Sequence, residues 1–317
     1  ELDDFFFRDL ELPKPKYNLK VGSVSHAKMT ARILERLEAV LKREKPDILL
    51  VQGDTNTVMA GALCASKLGI TVGHVEAGLR SYDASMPEEL NRVVADHLSD
   101  FLFAPTLKSK QNLLKEGISS KKIFVTGNSI VDAVLANMRL SRKKSKILSG
   151  FGLKKGGFIL ATVHRQKNTD DKKRLKQILS GLVSVSEKFS FPVIFPIHPR
   201  TRKMIARYGF SKLLGKLSVV PPLGYFDFLV LLANCRLVLT DSGGIQEEAC
   251  VLKVPCVTLR DNTERPETIK AGSNVLCGTN KSKIISCARK MLATPRSWKN
   301  PFGNGRTSQK ILSILRR

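Results

Sequence analysis

The sequence of 317 residues has no long apolar run, no closely spaced cysteines and few aromatic residues. Its longest apolar stretch, Tyr225 to Cys235, is far shorter than the roughly 20 residues that cross a bilayer, so we predict no membrane partner. The six cysteines form no C-x-x-C pair, which argues against a zinc site or a disulfide scaffold. Together with the acidic start Glu1-Leu2-Asp3-Asp4, this indicates a cytoplasmic protein with free thiols.

Acidic residues are also scarce, because 28 Asp and Glu stand against 53 Lys and Arg and leave a net charge of +25. They are concentrated in two windows, with 7 in residues 54–100 and 6 in residues 241–267. Strong positive charge is typical of nucleic-acid binding. However, aromatic residues make up only 6% and do not interleave with the basic runs, which we interpret as solvated helix faces. We therefore predict no nucleic-acid partner.

Short β-branched strands alternate with amphipathic helices along most of the chain. Ile48–Val51 is followed by a helix over 55–68 and by a second strand over Thr71–Val75. Apolar runs that do not alternate with polar residues indicate strands buried on both faces, as in parallel sheets. The pattern predicts an α/β fold with two Rossmann-like domains that face a cleft.

The Gly- and Ser-containing stretch 139–157, which has no acidic residue, is the best candidate boundary. We predict an N-terminal domain over 1–140, a C-terminal domain over 141–300, and a helix within 301–317 that packs back on the N-terminal domain. No buried strand precedes the first clear helix, which starts at His26. Because a doubly wound domain normally opens with a central strand and a ligand-binding loop, we expect both to lie before Glu1, so that the first domain lacks its opening strand.

Carboxylates follow two strands of the predicted first domain. Asp54 comes just after Ile48–Val51, and Glu76 follows Thr71–Val75 directly. Glu88 and Arg92 lie one turn apart on the next helix and share a face. Ligands of open parallel sheets bind beyond the carboxyl ends of the strands, so we expect an acid–base site here. The alternative is that these side chains cap helices or form structural ion pairs.

In the predicted second domain, histidines and a glycine-rich turn, rather than carboxylates, follow the strands. His164 and His198 each follow a strand, and Ser242-Gly243-Gly244 lies between a strand and a helix that carries Glu248. A glycine-rich helix N-terminus favours phosphate, although an ordinary capped turn has the same pattern. Neither a P-loop nor a G-x-G-x-x-G motif is present, which argues against a nicotinamide or flavin cofactor. These residues predict a nucleotide diphosphate compound such as a sugar nucleotide as substrate, with phosphates held by the second domain and acid–base groups supplied by the first.

Several motifs in the same order resemble the non-hydrolysing UDP-N-acetylglucosamine 2-epimerases over almost the entire chain. The motifs are VQGDTNT (51–57), GHVEAGLRS (73–81), MPEELNR (86–92), TDSGGIQEEA (240–249) and TLRDNTERPET (258–268). The closing WKNPFGNGR (298–306) is similar to the archaeal branch. The resemblance implies a glycosyltransferase-B-like pair of domains and a homodimer. It also implies interconversion of UDP-N-acetylglucosamine and UDP-N-acetylmannosamine by UDP elimination through 2-acetamidoglucal, with no cofactor and no metal.

The resemblance also implies roles for individual residues. The catalytic positions are Asp54, Glu76, Glu88, Arg92 and His164. The positions that contact UDP are His198 near the phosphates, Phe228 near uracil, Ser242, Gly243, Gly244, Glu248 and, less directly, Arg260. After His164 the family usually continues with Arg-Ala-Glu-Asn or Arg-Arg-Glu-Asn, whereas this chain has Arg165-Gln166-Lys167-Asn168.

Three alternatives remain open at this point. One is a glycosyltransferase of the same architecture, although residues 241–267 contain no pair of glutamates separated by seven residues, as retaining members often have. A second is an epimerase of a modified UDP-amino sugar. The third is a nonenzymatic polyanion binder, whose binding would weaken steeply with salt.

Overall fold

The computed structural model describes residues 10–316 and contains two parallel β-sheets. The prediction of an α/β fold is therefore confirmed. The chain divides into two compact units. The first unit contains residues 14–132 and 302–316, and the second contains residues 133–301 together with 10–13. No helix within residues 10–316 is both long enough and apolar enough to span a membrane.

Strands and helices alternate as the sequence predicts. The strands are β1 (Ile48–Gln52), β2 (Thr71–Val75), β3 (Phe101–Ala104), β4 (Ile123–Val125), β5 (Ile159–Thr162), β6 (Val193–Pro196), β7 (Ser218–Val220), β8 (Leu237–Thr240), β9 (Cys256–Thr258) and β10 (Asn274–Leu276). The α-helices are α1 (His26–Glu44), α2 (Asn56–Lys67), α3 (Pro87–Leu98), α4 (Leu107–Lys115), α5 (Ser129–Lys144), α6 (Ile147–Gly150), α7 (Gln166–Thr169), α8 (Lys172–Phe189), α9 (Pro199–Arg207), α10 (Ser211–Leu214), α11 (Tyr225–Asn234), α12 (Gly243–Val251), α13 (Pro266–Lys270), α14 (Lys281–Leu292) and α15 (Thr307–Leu315).

The first unit contains a four-stranded sheet in the order β1-β2-β3-β4. All three pairings are parallel, and β1 and β2 are in direct register from Ile48 opposite Thr71 to Gln52 opposite Val75. The carboxyl ends of β1 and β2 therefore lie side by side, and the segments that carry Asp54 and Glu76 leave the sheet at neighbouring positions.

The C-terminal helix α15 belongs to the first unit. Its first backbone N–H groups have no partner within the helix, and the Asp132 carboxylate accepts from two of them, on Thr307 at 3.1 Å and on Ser308 at 3.0 Å. Ile311 on this helix packs in a small apolar cluster with Val75 and Phe103 of the sheet. The last helix thus covers part of the sheet whose strands carry the candidate carboxylates.

The second unit contains a six-stranded parallel sheet in the order β10-β9-β8-β5-β6-β7. Every residue of the central strands β5 and β8 is buried, which explains why these strands are continuous apolar runs. Because β5 is the neighbour of both β6 and β8, the segments after β5, β6 and β8 emerge at one edge of the sheet. These are the segments that carry His164, His198 and Ser242.

Candidate active site

Arg92 lies between two carboxylates of the first unit. Its guanidinium donates to the Asp54 carboxylate through Nη2 and to Glu89 Oε2 through Nη1 at 2.5 Å. The side chain of Arg92 is only 2% exposed, whereas that of Asp54 is 29% exposed. The Asn91 side-chain amide also donates to the backbone carbonyl of Asp54, at 3.0 Å. Helix α3 therefore fixes both the backbone and the carboxylate of Asp54, and solvent still reaches the carboxylate.

Glu89 is held by the loop that precedes α3. Its carboxylate accepts from the backbone N–H of Ser81 and of Tyr82, both at 2.9 Å, and from the Ser81 hydroxyl at 2.8 Å. The neighbouring Glu88 lies in the first turn of α3, where the helix dipole favours negative charge, and it is half-buried. Glu89 is thus the structural partner of Arg92, while Glu88 lies beside it in the same helical turn.

Glu76 has an unusual backbone conformation for a residue with a side chain. It follows β2 directly and has φ = 70°, in the left-handed region that costs most non-glycine residues free energy. The Gln52 side-chain amide donates to Glu76 Oε1 at 3.2 Å and to the Ser129 hydroxyl at 3.0 Å. The chain therefore turns sharply at the strand end and places the Glu76 carboxylate beside the end of β1.

Asp241 organises the segment after β5 in the second unit. It is fully buried and accepts from the backbone N–H of His164 at 3.1 Å and of Arg165 at 3.0 Å, and from the Asn168 amide at 3.1 Å. His164 Nδ1 lies 3.2 Å from the same carboxylate. Burial opposes the charge of Asp241, but these hydrogen bonds outweigh it and hold the pKa of this carboxyl below its usual range. Asp241 is thus an anion that orients the His164 ring.

His198 lies next to His164, with 6.0 Å between the two ring centroids. It is the N-cap of α9, and its Nδ1 accepts from the backbone N–H of Arg200 at 3.2 Å. The proton of the neutral ring is therefore on Nε2. Partial burial, with the nearby His164 and Arg200, lowers the pKa of His198, so it is a neutral donor at pH 7.

Helix α12 begins directly after β8 with Ser242 as its N-cap. The Ser242 hydroxyl accepts from the backbone N–H of Ile245. A Cβ atom at Gly243 would lie 3.2 Å from the Arg265 guanidinium, so the helix packs tightly at that point. A Cβ atom at Gly244 would meet nothing within 4 Å. The N-terminus of this helix is thus open at Gly244, where free N–H groups and the helix dipole favour an anion.

Glu248 lies one turn farther along α12 and is only 6% exposed. The Tyr225 hydroxyl donates to its Oε1 at 3.1 Å. Burial raises the pKa of Glu248 to about 7, and burial together with Glu248 raises the pKa of the Tyr225 hydroxyl. Such a carboxyl group can accept hydrogen bonds from hydroxyl groups and, when protonated, donate one.

Two other predicted ligand residues have mainly structural contacts. Arg260 is buried and donates through both Nη atoms to the Glu264 carboxylate, at 2.9 and 2.7 Å. Phe228 on α11 is half-buried and packs against the apolar cluster beneath β5 and β8. The ligand-binding roles of both residues stay predictions.

The chain matches one known protein family along almost its whole length. A family model described as UDP-N-acetylglucosamine 2-epimerase matches residues 1–316. The chain belongs to the UDP-N-acetylglucosamine 2-epimerase family. It is 53% identical to the UDP-N-acetylglucosamine 2-epimerase of Methanocaldococcus jannaschii, over 99% of this chain and 87% of that protein. It is 42% identical to the UDP-2,3-diacetamido-2,3-dideoxy-D-glucuronate 2-epimerase of Pseudomonas aeruginosa, over 99% of this chain and 87% of that protein.

A solved structure supports this assignment. The crystal structure of the Methanocaldococcus jannaschii epimerase in complex with UDP-GlcNAc and UDP is similar to this chain with a TM-score of 0.94 and 52% sequence identity. The similarity covers 99% of this chain and 88% of that one. The family resemblance inferred from the motifs is therefore confirmed, and so is the two-sheet architecture that it implied.

The structure places the site residues predicted from the sequence on both units of this member of the UDP-N-acetylglucosamine 2-epimerase family. In the first unit, Asp54, Glu76, Glu88 and Arg92 lie at the ends of adjacent strands or on the helix that follows them. The second unit places the remaining predicted positions on loops and helices after its strands, at His164, His198, Phe228, Ser242, Gly243, Gly244, Glu248 and Arg260. The roles of all of these residues stay predictions.

Four residues around the predicted positions were missed. Their side chains contact the predicted residues or the backbone beside them: His74, Glu89 and Asp241 are buried, and Tyr225 is half-buried. His74, Glu89 and Asp241 stand inside quoted motifs, so the motifs signalled the segments. The direction of each side chain depends on tertiary packing that one sequence does not reveal.

The raised pKa of Glu248 leads to a prediction about stability. Because the carboxyl holds its proton more tightly in the folded state, its contribution to stability is present at low pH and is lost as pH rises toward and through 7. We expect Glu248→Gln to match the parent protein at pH 5 and to be more stable at pH 8, by about 1–3 kcal/mol. Thermal unfolding at the two pH values measures this.

The matched control is Glu187→Gln, which changes an exposed glutamate in a surface pair with Lys216. It should shift the melting temperature little at either pH. An equal effect of Glu248→Gln at pH 5 and pH 8 would show that Glu248 is not a buried group that titrates near neutral pH.

Proposed function

We propose that this protein interconverts UDP-N-acetylglucosamine and UDP-N-acetylmannosamine by inverting C2 of the sugar. The observation that carries the proposal is the pair of carboxylates, Asp54 and Glu76, at the ends of the adjacent strands β1 and β2, with Glu88 on the helix that follows. Inversion of a carbon that bears hydrogen requires proton transfer on both faces of the ring, and therefore more than one acid–base group. Relatives named as UDP-N-acetylglucosamine 2-epimerases at 50–53% identity support the same reaction.

The second unit is proposed to bind the UDP portion. The open N-terminus of α12 at Gly244 suits the diphosphate, with His198 as a neutral donor to it. Glu248 suits the ribose hydroxyls because its carboxyl lies within the same helix, one turn after the glycines. We assign Phe228 to the uracil ring.

The proposed reaction is an elimination followed by an addition. A carboxylate takes the C2 proton, the electron pair forms a C1=C2 double bond, and the C1–O bond breaks to release UDP and 2-acetamidoglucal. A second group then delivers a proton to the other face of C2, and a UDP oxygen forms the bond to C1 again. No electrons enter or leave, so the balance requires no redox partner.

The electrostatic arrangement suits these steps. The guanidinium of Arg92 donates to the Asp54 carboxylate and orients it as the candidate base. The Asp241 carboxylate lies 3.2 Å from His164 Nδ1 and orients that ring as a candidate hydrogen-bond donor to the departing UDP anion. Glu76 and Glu88 remain as the candidates for the opposite proton transfer.

The open space at Gly244 leads to a second prediction. Gly244→Ala adds a methyl group that clashes with nothing within the unit, and its φ lies outside the left-handed region, so folding should be unaffected. The methyl group would lie where the phosphates approach the helix, and we expect UDP affinity to fall about 10-fold, equivalent to ~1.4 kcal/mol. Isothermal titration with UDP measures the change.

Gly150→Ala is the matched control, because a Cβ there also meets nothing within 4 Å and the residue lies in a helix of the same unit. Its UDP affinity should equal that of the parent protein. If Gly244→Ala bound UDP as tightly as the control, the phosphates would not lie at the start of α12.

The proposed activity is tested by incubating the protein with UDP-N-acetylglucosamine alone. Formation of UDP-N-acetylmannosamine without an acceptor, added cofactor or metal, and in the presence of a chelator, supports the proposal. Release of UDP that depends on a sugar acceptor would support a glycosyltransferase instead.

A modified UDP-amino sugar is the second candidate substrate, and one relative favours it. The Pseudomonas aeruginosa protein that is 42% identical is named as an epimerase of a UDP-2,3-diacetamido uronic acid. Comparing kcat/KM for the two UDP-sugars decides between them. We also propose a cytoplasmic homodimer, whose oligomeric state sedimentation equilibrium would determine.

A further inference from the structure

A completely buried histidine lies behind the carboxylates of the first unit. His74 is the fourth residue of β2, and its side chain is 0% exposed. Its Nδ1 lies 2.7 Å from Asp96 Oδ1, and its Nε2 lies 2.8 Å from the backbone carbonyl oxygen of Gly53. A neutral imidazole has one N–H and one lone pair, yet both nitrogens of His74 face oxygen atoms.

The partners decide where the protons are. A carbonyl oxygen only accepts, so Nε2 of His74 carries a hydrogen. The other oxygen of Asp96 accepts from the Arg80 guanidinium at 2.7 Å and from the backbone N–H of Gly78 at 3.1 Å, which is the environment of an ionised carboxylate. Nδ1 of His74 therefore also donates, and the ring is an imidazolium.

The charge is balanced within the buried network. Arg80 also donates to both carboxylate oxygens of Glu116, at 2.7 and 2.6 Å, so two cations alternate with two anions. Burial works against the charge of His74, but the hydrogen bond and the charge of Asp96 outweigh it and raise the pKa of the ring. Conversely, His74 and Arg80 hold the pKa of the buried Asp96 below its usual range.

The network touches the candidate site through the backbone. Gly53 directly precedes Asp54 and has φ = 84°, a conformation that favours glycine. Its N–H donates to the carbonyl oxygen of Val75 at 3.1 Å, and its own carbonyl oxygen accepts from His74. The N–H and the carbonyl oxygen of Gly53 thus both bond to β2 and fix the turn that carries Asp54. The partner of the carbonyl, His74, lies two residues before Glu76.

Building on the proposed function, we propose that His74 is a positioning residue whose ring is an imidazolium at neutral pH. Its imidazolium ties the Gly53 carbonyl to Asp96, which fixes the Asp54 turn beside Glu76. His74 touches no substrate in this role and acts through the two carboxylates. The groups that face it are Asp96 on α3, Arg80 and Glu76 after β2, and Glu116 beyond Arg80.

The charge of His74 is tested by NMR of protein labelled with nitrogen-15 in the histidine rings. The chain has five histidines, and the other four are assigned by replacing each with Gln, so the assignment does not require a folded variant at position 74. We expect both ring nitrogens of His74 to be protonated at pH 7. A ring with one unprotonated nitrogen at pH 7 would overturn the inference.

The positioning role is tested with two substitutions that each keep one of the hydrogen bonds. His74→Gln places an N–H near the Nε2 position and can still bind Gly53, whereas His74→Asn places one near Nδ1 and can bind only Asp96. We expect kcat to fall about 10-fold or more in His74→Asn and less in His74→Gln, with KM changed less than about two-fold.

The control is Glu38→Gln, which changes an exposed glutamate on α1 outside this network and should leave kcat and KM unchanged. A purely structural role for His74 would lower the melting temperature of both variants while the folded protein kept the parental kcat, and that result would contradict the proposal. The NMR experiment needs no substrate. A neutral His74 in an active epimerase would therefore refute this inference alone, whereas absence of epimerase activity would refute the proposed function.

Discussion

Replacing Asp54 with Asn or Glu88 with Gln is expected to lower kcat by about 100-fold or more, which is the scale of a lost acid–base group. Each change removes the ability to exchange a proton while keeping the size of the side chain. Asn at position 54 can still accept a hydrogen bond from Arg92, so the fold of the turn should survive. Steady-state kinetics with UDP-N-acetylglucosamine measure the effect.

Binding of UDP should change little in the same variants. The proposed UDP contacts all belong to the second unit, whereas Asp54 and Glu88 belong to the first. The matched control is Glu38→Gln, which changes an exposed glutamate on α1 that pairs with Lys42. Turnover at the parental rate in both Asp54→Asn and Glu88→Gln would show that these carboxylates are structural.

The second large effect is expected from Arg92→Met. This change leaves the Glu89 carboxylate, which is 9% exposed, without its ion-pair partner and removes the partner of Asp54. Breaking a buried ion pair from one side costs about 3–5 kcal/mol, because the remaining charge is uncompensated. We expect the unfolding midpoint in urea, followed by circular dichroism, to fall accordingly.

Lys216→Met is the control for Arg92→Met, because Lys216 pairs with Glu187 on the surface and both side chains are 60% exposed. Its effect on stability should be below about 1 kcal/mol. If the two variants unfolded at the same urea concentration, the Asp54–Arg92–Glu89 contacts would contribute no more than a surface ion pair, and the account of this site would be wrong.

Elements with strong local signals were predictable from the sequence. The sequence predicts that a strand ends at Thr240 and that Ser242-Gly243-Gly244 leads into a helix carrying Glu248, with a capped turn as the alternative. The structure has β8 ending at Thr240 and α12 starting at Gly243 with Ser242 as N-cap. Hydrophobic runs predict the strands, and side-chain capping predicts the helix start. Local sequence signals are sufficient to predict an element where both of them agree.

Pairing between side chains was less predictable. On α3 the spacing favoured Glu88 as the neighbour of Arg92, since residues four apart share a face. The hydrogen-bonded pair in the structure is Glu89 with Arg92, three residues apart, because the backbone of Ser81 and Tyr82 folds over Glu89 and holds its carboxylate. That loop reaches the helix only in the folded chain, so the helix sequence alone could not select between the two glutamates.

The buried network around His74 was not predictable for a related reason. The sequence shows a histidine in an apolar strand, and only the register of β1 against β2 brings the Gly53 carbonyl to its ring. Asp96 and Arg80 come from separate segments, 22 residues after and 6 residues after His74 in the sequence. Such contacts depend on tertiary structure, and a single sequence contains no local signal for them.

The central claim is that C2 of the sugar exchanges its proton while it inverts. The most direct measurement is proton NMR of UDP-N-acetylglucosamine incubated with the protein in deuterated water. We predict that UDP-N-acetylmannosamine appears, that the C2 proton signal disappears from both UDP-sugars as they reach equilibrium, and that no acceptor is required. Retention of the C2 proton in the product, or no new UDP-sugar while UDP accumulates only with an acceptor, would contradict the account.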